Sequence, residues 1–189
     1  MEPQPLKRIV EALLMASDQP LKLERIAEIV NDGDSHQARN EIAAALTALQ
    51  IDYAERAVEL REVASGFRFQ VRTEFAVWIG RLHEEKPPRY SRAVLETLAL
   101  IAYKQPTTRA EIEAVRGVTV STQIVKTLLE RQWVRVIGHK DVPGRPALYA
   151  TTRQFLDYFN LNTLDGLPSL QGLKNDDAPN RELEFREFD

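Results

Sequence analysis

Three histidines, His36, His83 and His139, are the side chains of this sequence best suited to hold a metal or shuttle a proton, and each stands alone. There is no HExxH pattern and no histidine pair at helical spacing, so a zinc site would need ligands gathered from distant segments. They read as solvent-facing or capping residues. The chain has no cysteine, which removes disulfides and thiolate ligands alike. None of the eight glycines lies two residues from another and none begins a Gly-x4-Gly-Lys run, so neither a dinucleotide nor a Walker phosphate cradle is present. Neighbouring carboxylates, Glu84-Glu85 and Asp176-Asp177, fall where no apolar pattern could desolvate them, and without desolvation a carboxylate is not raised toward acid-base work. We expect no catalytic residue, no metal site, no cofactor and no small-molecule substrate.

What remains is recognition chemistry. A helical pattern over 120–131 sets Ile124, Val125, Leu128 and Leu129 on a core face and projects Thr122, Gln123, Lys126 and Arg131 away from it. Such side chains reach bases and phosphates well, and they also make an ordinary polar face. The stretch GHKDVPGRPALY, 138–149, holds more than a turn requires. Pro143-Gly144 suits the two central positions of a type II turn, but Lys140, Asp141, Arg145 and the second proline at 146 are extra. Either Asp141 and Arg145 pair across the loop while Pro146 protects an edge, or the loop is a rigid binding rim. Tyr103-Lys104-Gln105-Pro106 ends a helix abruptly and presents Lys104 and Gln105 at a corner.

The elements that must position these residues come in a repeated order. Leu6, Ile9, Val10, Leu13 and Leu14 mark a first helix that Asp18-Gln19-Pro20 stops; Leu23, Ile26, Ala27 and Val30 mark a second; Ala38, Ile42, Leu46, Leu49 and Tyr53 mark a third. The period then becomes two, with Phe67, Phe69 and Val71 alternating with polar residues opposite Val58 to Val63. Phe75, Trp78, Ile79 and Leu82 close this half as a short helix. After Glu84-Glu85-Lys86-Pro87-Pro88-Arg89 the order returns. A helix on Val94, Leu95, Leu98, Ile101 and Ala102 is capped by Ser91. A second opens with a Thr108/Glu111 capping box and stops near Gly117. The third is the 120–131 helix, followed by strands at Val134–Gly138 and Ala147–Thr151 and a last helix on Phe155, Leu156 and Phe159.

The fold expected is α+β and predominantly α: two tandem winged-helix (helix-turn-helix) domains, 1–83 and 91–170, joined by a proline-bearing linker at 84–90 and followed by an acidic, disordered tail at 171–189. Net charge is -3, but residues 1–85 carry 10 Lys/Arg against 15 Asp/Glu, 86–153 carry 12 against 5, and 154–189 carry 3 against 8. A basic block between acidic ones attracts an acidic partner, whether phosphate backbone or polypeptide. No export signal or membrane-length apolar run occurs, so a soluble cytoplasmic protein is expected.

Two long stretches, LETLALIAYKQPTTRAEIEAVRGV and VKTLLERQWVRVIGHKDVPGRPALYATTRQFLDYFNLNTLDGLPSL, closely resemble the segregation and condensation protein B (ScpB) family. IVEALLMASDQPLKLERIAEIV and ASGFRFQVRTEFAVWIGRL resemble its opening helix pair and its hairpin with helix, so the likeness runs from about Ile9 to Leu170. Departures are small: Ala150 stands where the family usually has glycine, and Gln132-Trp133 replaces a glycine-aliphatic pair. The resemblance implies a non-enzymatic accessory subunit of the bacterial SMC condensin. In that family the amino-terminal domains pair into a homodimer, the dimer binds the kleisin ScpA and through it SMC, and the complex acts on the nucleoid. On that implication Lys104, Gln105, Asp141, Val142, Pro143, Gly144, Arg145 and Tyr149 are the expected kleisin-facing set, and Ile9, Leu13, Phe75 and Trp78 the dimer-facing set. Contact with DNA would be weak or indirect. The alternative is a winged-helix DNA-binding transcriptional regulator.

Overall fold

A computed structural model describes residues 3–30, 36–82 and 90–168. His83, the linker expected at 84–90 apart from Tyr90, and the tail expected at 171–189 lie outside the described residues. The chain divides into two compact units, residues 1–86 with 160–163 and residues 87–159 with 164–189. The described residues are mixed α and β, mostly helical.

In the first unit, helices α1 (Pro3–Ala16), α2 (Leu23–Val30) and α3 (His36–Asp52) precede strands β1 (Val58–Val63) and β2 (Gly66–Val71), a 3-10 turn at Thr73–Phe75 and α4 (Ala76–Leu82). Leu6, Val10 and Leu14, four apart, form the buried stripe of α1; with Ile26, Ile42, Leu46 and Leu49 they make the core. Polar ties fix α1 to the end of α3: Lys7 Nζ reaches Asp52 at 2.7 Å, and Tyr53 Oη donates to Glu11 Oε1 at 2.5 Å. The bond to Glu11 holds the Tyr53 phenol above its ordinary pKa. Beyond α3, the Arg72 guanidinium collects the carbonyls of Tyr53, Ala54 and Arg56 at 3.2, 2.6 and 2.8 Å. Carbonyls at a helix end have no intrahelical donor, and one arginine supplies it.

β1 and β2 pair antiparallel, with Val63 opposite Gly66. The alternation expected to bury one face of β2 is blurred: all six residues are half-buried, as fits a two-stranded ribbon that fully covers neither face. Leu21 crosses its start, exchanging backbone bonds with Phe67 at 2.9 and 2.8 Å. That crossing sets Gly66 apart, because its φ is +133° and a Cβ there would stand 2.4 Å from the Leu21 carbonyl carbon and oxygen.

In the second unit, α5 (Arg92–Lys104), α6 (Arg109–Arg116) and α7 (Thr122–Glu130) precede β4 (Val134–His139), β5 (Ala147–Thr151), α8 (Arg153–Tyr158) and a 3-10 turn at Leu164–Gly166. The local stop and start signals act as the sequence predicts. Ser91 accepts from Val94 N–H, Thr108 and Glu111 form the reciprocal capping box, and Gly117 ends α6 at φ +70°. A strand not foreseen, β3 (Thr107–Thr108), pairs with β5, giving a three-stranded sheet in the order β3-β5-β4. Ser121 rather than Val120 opens α7; Val120 is wholly buried ahead of it. Leu129, expected in the core, is exposed at the edge of the apolar stripe, whereas Leu128 is fully buried. Trp133 is buried under Tyr90, Tyr158 and Phe159, with ring centroids at 4.9, 4.7 and 5.6 Å. Its tilted contacts are the favourable aromatic arrangement.

Gly66→Ala must displace the Leu21 backbone or reshape the hairpin, and a loss of about 2 kcal/mol or more is expected. Gly138→Ala, where a Cβ meets nothing within 4 Å, is the control and should stay within about 0.5 kcal/mol. Urea midpoints followed by circular dichroism measure both.

Candidate partner-binding surfaces

The two halves of the expected kleisin-facing set sit at opposite ends of one strand. At one end, α5 stops at Lys104, which is exposed, and the Gln105 amide turns inward. Gln105 Oε1 accepts from Thr151 N–H at 2.8 Å and Thr151 Oγ1 at 3.0 Å, while Nε2 donates to Ala102 O at 3.0 Å. The Gln105 side chain thus fastens the end of α5 to β5 rather than pointing outward. Tyr149 lies half-buried in the middle of β5, opposite Thr107 on one side and Val136 on the other.

The loop is at the far end, five residues along β5 and so about 17 Å away at strand rise. Val142 C=O accepts from Arg145 N–H at 2.9 Å around Pro143-Gly144, with Gly144 at φ +84°, the geometry expected for a type II turn. Lys140 N–H donates to Pro146 O at 2.9 Å, closing the loop base. Asp141 to Arg145 are exposed. Arg145 takes a left-handed φ of +38°, uncommon for a side-chain-bearing residue. The pairing weighed between Asp141 and Arg145 is not what holds the loop. Instead Lys140 Nζ reaches across to Glu111 Oε1 at 2.5 Å.

Glu111 is therefore shared by three segments. Its Oε2 accepts from Thr108 N–H at 2.7 Å, Thr108 Oγ1 at 3.0 Å and Thr107 Oγ1 at 3.3 Å. The bond from Lys140 and those from Thr108 bring its pKa down to about 2. Glu113 is also lowered, by the Val120 N–H at 2.8 Å and then Arg109 at 3.0 Å. At Glu96 partial burial opposes ionisation, but hydrogen bonds from Arg116 and Arg92 outweigh it and the pKa falls. All three carboxylates move away from the range a general acid needs.

On α7, Thr122, Gln123 and Lys126 are exposed as expected, but Lys126 Nζ lies 3.5 Å from Glu130 and Arg131 stacks over the Tyr90 ring at 5.5 Å. Of the expected dimer-facing set, Leu13 packs half-buried on the core and Ile9 is exposed. Phe75 and Trp78 meet at 6.2 Å between ring centroids. The short helix forms as expected, and it leaves Val77, Trp78 and Leu82 49, 60 and 74% exposed, with no α4 residue fully buried. Among the described residues no cluster of His, Asp and Glu fit for a metal is present, and no helix is long and apolar enough to cross a membrane. Sequence reasoning missed Arg135, Val136 and Ile137, which lie exposed on β4; the adjacent pair Val136-Ile137, which breaks alternation, was the available signal.

The family model for segregation and condensation complex subunit ScpB matches residues 8–170. The chain belongs to the ScpB family. It is 54% identical over 165 residues to a segregation and condensation protein B homolog of Coxiella burnetii, covering 87% of this chain and 78% of that protein. It is 47% identical to segregation and condensation protein B of Syntrophotalea carbinolica, covering 90 and 85%. Among solved structures, ScpB of Mycobacterium tuberculosis is 32% identical over 85% of this chain and 98% of its own, with a TM-score of 0.40. A dimer of an ScpB N-terminal domain complexed with an ScpA peptide is 33% identical over 42% of this chain and 95% of that one, with a TM-score of 0.36.

Because the Glu111 pKa lies below its ordinary 4.5, the stability it contributes is complete above that value and is lost as pH falls through about 2. The gap in urea midpoint between the parent and Glu111→Gln should be widest near neutrality and close progressively below pH 4.5. A gap independent of pH would mean that the carboxylate charge is not what fastens the loop.

Proposed function

We propose that this chain is a non-enzymatic accessory subunit of a bacterial SMC condensin, acting in chromosome condensation and segregation during cell division. In this reading each unit is a winged-helix domain. The first pairs two copies of the chain through α4 and the exposed side of α1, and the second receives the kleisin ScpA, which links the pair to SMC. The protein works in the cytoplasm, on the nucleoid, and leaves ATP hydrolysis to another subunit. The observation that carries the reading is the family match across 8–170, which spans both units.

Local features agree with it. α4 leaves Trp78 and Leu82 in solvent, a disposition suited to contact with another polypeptide. In the second unit the loop at 141–145 is exposed and anchored at its base, so a partner meets a fixed surface. The corner at Lys104 and the loop at Arg145, spaced along β5, suit an elongated segment better than a small ligand. The rival, a DNA-binding regulator, would place α7 in a groove. That helix offers phosphate one lysine, which already faces Glu130.

Solution mass with and without a fragment of the ScpA kleisin tests the two interactions separately. Trp78→Glu should give a monomer that still binds the fragment. Lys104→Glu with Arg145→Glu should keep the dimer and the urea midpoint but weaken fragment binding about tenfold. Duplex DNA bound with a steep salt dependence, and no binding of the fragment, would instead favour the regulator.

A further inference from the structure

The β3-β5-β4 order leaves β4 as an edge, and the backbone bonds on either side of it tell which of its groups are unused. Thr152 N–H donates to Trp133 O at 3.1 Å, whereas Thr151 N–H turns away from β4 to Gln105. Tyr149 pairs on its other side with Thr107 of β3. In an antiparallel ladder bonded and non-bonded pairs alternate, so Val134 and Val136, opposite Thr151 and Tyr149, direct their N–H and C=O groups outward. The register shifts by one between Val136 and Gly138, and Lys140 N–H bonds to Pro146. Alternation from that point turns the backbone of His139 outward as well. Val134 is buried, so the open stretch is Val136 to His139.

The side chains along it are of two kinds. Val136 and Ile137 are 45 and 47% exposed, and Val142, in the loop that follows, is 40% exposed. Arg135, His139 and Arg145 are exposed, and β4 itself has no acidic residue. Such an edge has neither proline nor inward charge; of the features that blunt edge strands it carries the Arg135 charge and the bulge. The bulge at Ile137 limits any added strand to a few residues.

We propose that β4 is a strand-addition site for an extended segment of another protein in which acidic and aliphatic residues alternate. The backbone of that segment pairs with Val136 and His139, its aliphatic side chains lie on Val136 and Ile137, and its carboxylates meet Arg135 and Arg145. This is the strand-addition mode of peptide recognition, with the backbone giving affinity and the flanking side chains giving selection. Two adjacent aliphatics amid the cations favour polypeptide over nucleic acid, because a phosphate backbone gains nothing from valine or isoleucine. The inference does not require the segment to come from a kleisin.

The test uses the full chain and an acetylated, amidated peptide of three Glu-Val repeats. Residue-resolved amide exchange is measured with and without saturating peptide. The expected result is slowing of Val136 and His139 about tenfold or more, with Arg135 and Gly138, already turned toward β5, unchanged. Arg135→Glu with Arg145→Glu should weaken the peptide about tenfold in fluorescence anisotropy while leaving the urea midpoint in place. Peptide binding that slows no β4 amide overturns the proposal. So does a 20-base-pair duplex that displaces the peptide, which would make the surface a nucleic-acid contact. Protection of Val136 without peptide also overturns it: if lost on deleting residues 171–189, the occupant is the chain's own terminus, and if it grows with protein concentration, a second copy. Since no kleisin is used, failure here leaves the kleisin reading standing.

Discussion

One carboxylate ties the exposed loop of the second unit to the start of α6, beside the backbone bonds that close the loop itself. Glu111 caps α6, accepts from both threonines of β3 and holds Lys140 at the loop base, so helix start, sheet edge and hairpin share an acceptor. Each bond is modest, but together they join the exposed loop base to the buried threonines of β3 and the start of α6, and the sharing couples them. A carboxylate with a pKa near 2 stays charged over the whole range in which the protein would work, which makes the anchor insensitive to physiological pH. The backbone that carries Val142 and Arg145 is thereby held at its base, while their side chains remain exposed.

The same pairing rule sorts the positive charge. Arg92, Arg109, Arg116, Lys126 and Lys140 all lie within salt-bridge distance of glutamates. Among the described residues, Lys104, Arg135, Arg145 and Arg153 make no such pair. The basic block seen in the sequence therefore resolves into a part with its countercharge built in, on the helices and at Lys140, and a remainder on or beside the β4–β5 hairpin. Surface pairs of this kind add little stability, but they do decide where a net field is left.

Most helices were legible because their signals are local: the four-residue stripe of α1, the Ser91 cap, the Thr108 and Glu111 box and the Gly117 stop all lie within a few residues of what they control. What could not be read depends on distance along the chain. β3 is two threonines whose strand character exists only opposite Leu148 and Tyr149. Gln105 reads as a corner residue until Thr151, 46 positions on, claims its amide. Lys140 has its acidic neighbour Asp141 in sequence, yet the carboxylate it reaches lies 29 positions back. Leu129 was misplaced for a different reason: it sits at the margin of the apolar arc, where a small rotation of the helix decides between core and solvent.

α4 shows how magnitude constrains the pairing of two chains. A seven-residue helix is too short to be stable by itself, and this one buries none of its side chains. Withdrawing the exposed parts of Val77, Trp78 and Leu82 from water would yield about 3–5 kcal/mol per copy, doubled in a symmetric contact because each chain offers the same patch. Association itself costs about 4–15 kcal/mol, a range that straddles the doubled gain, so α4 packed on its symmetry mate has no assured surplus. Further apolar surface would move that balance toward association. α1 supplies candidates in Ile9 and Met15, both exposed beside the buried stripe of Leu6, Val10 and Leu14. A dimer built through the first unit should therefore engage α1 as well as α4, with Trp78 as the largest anchor of the contact.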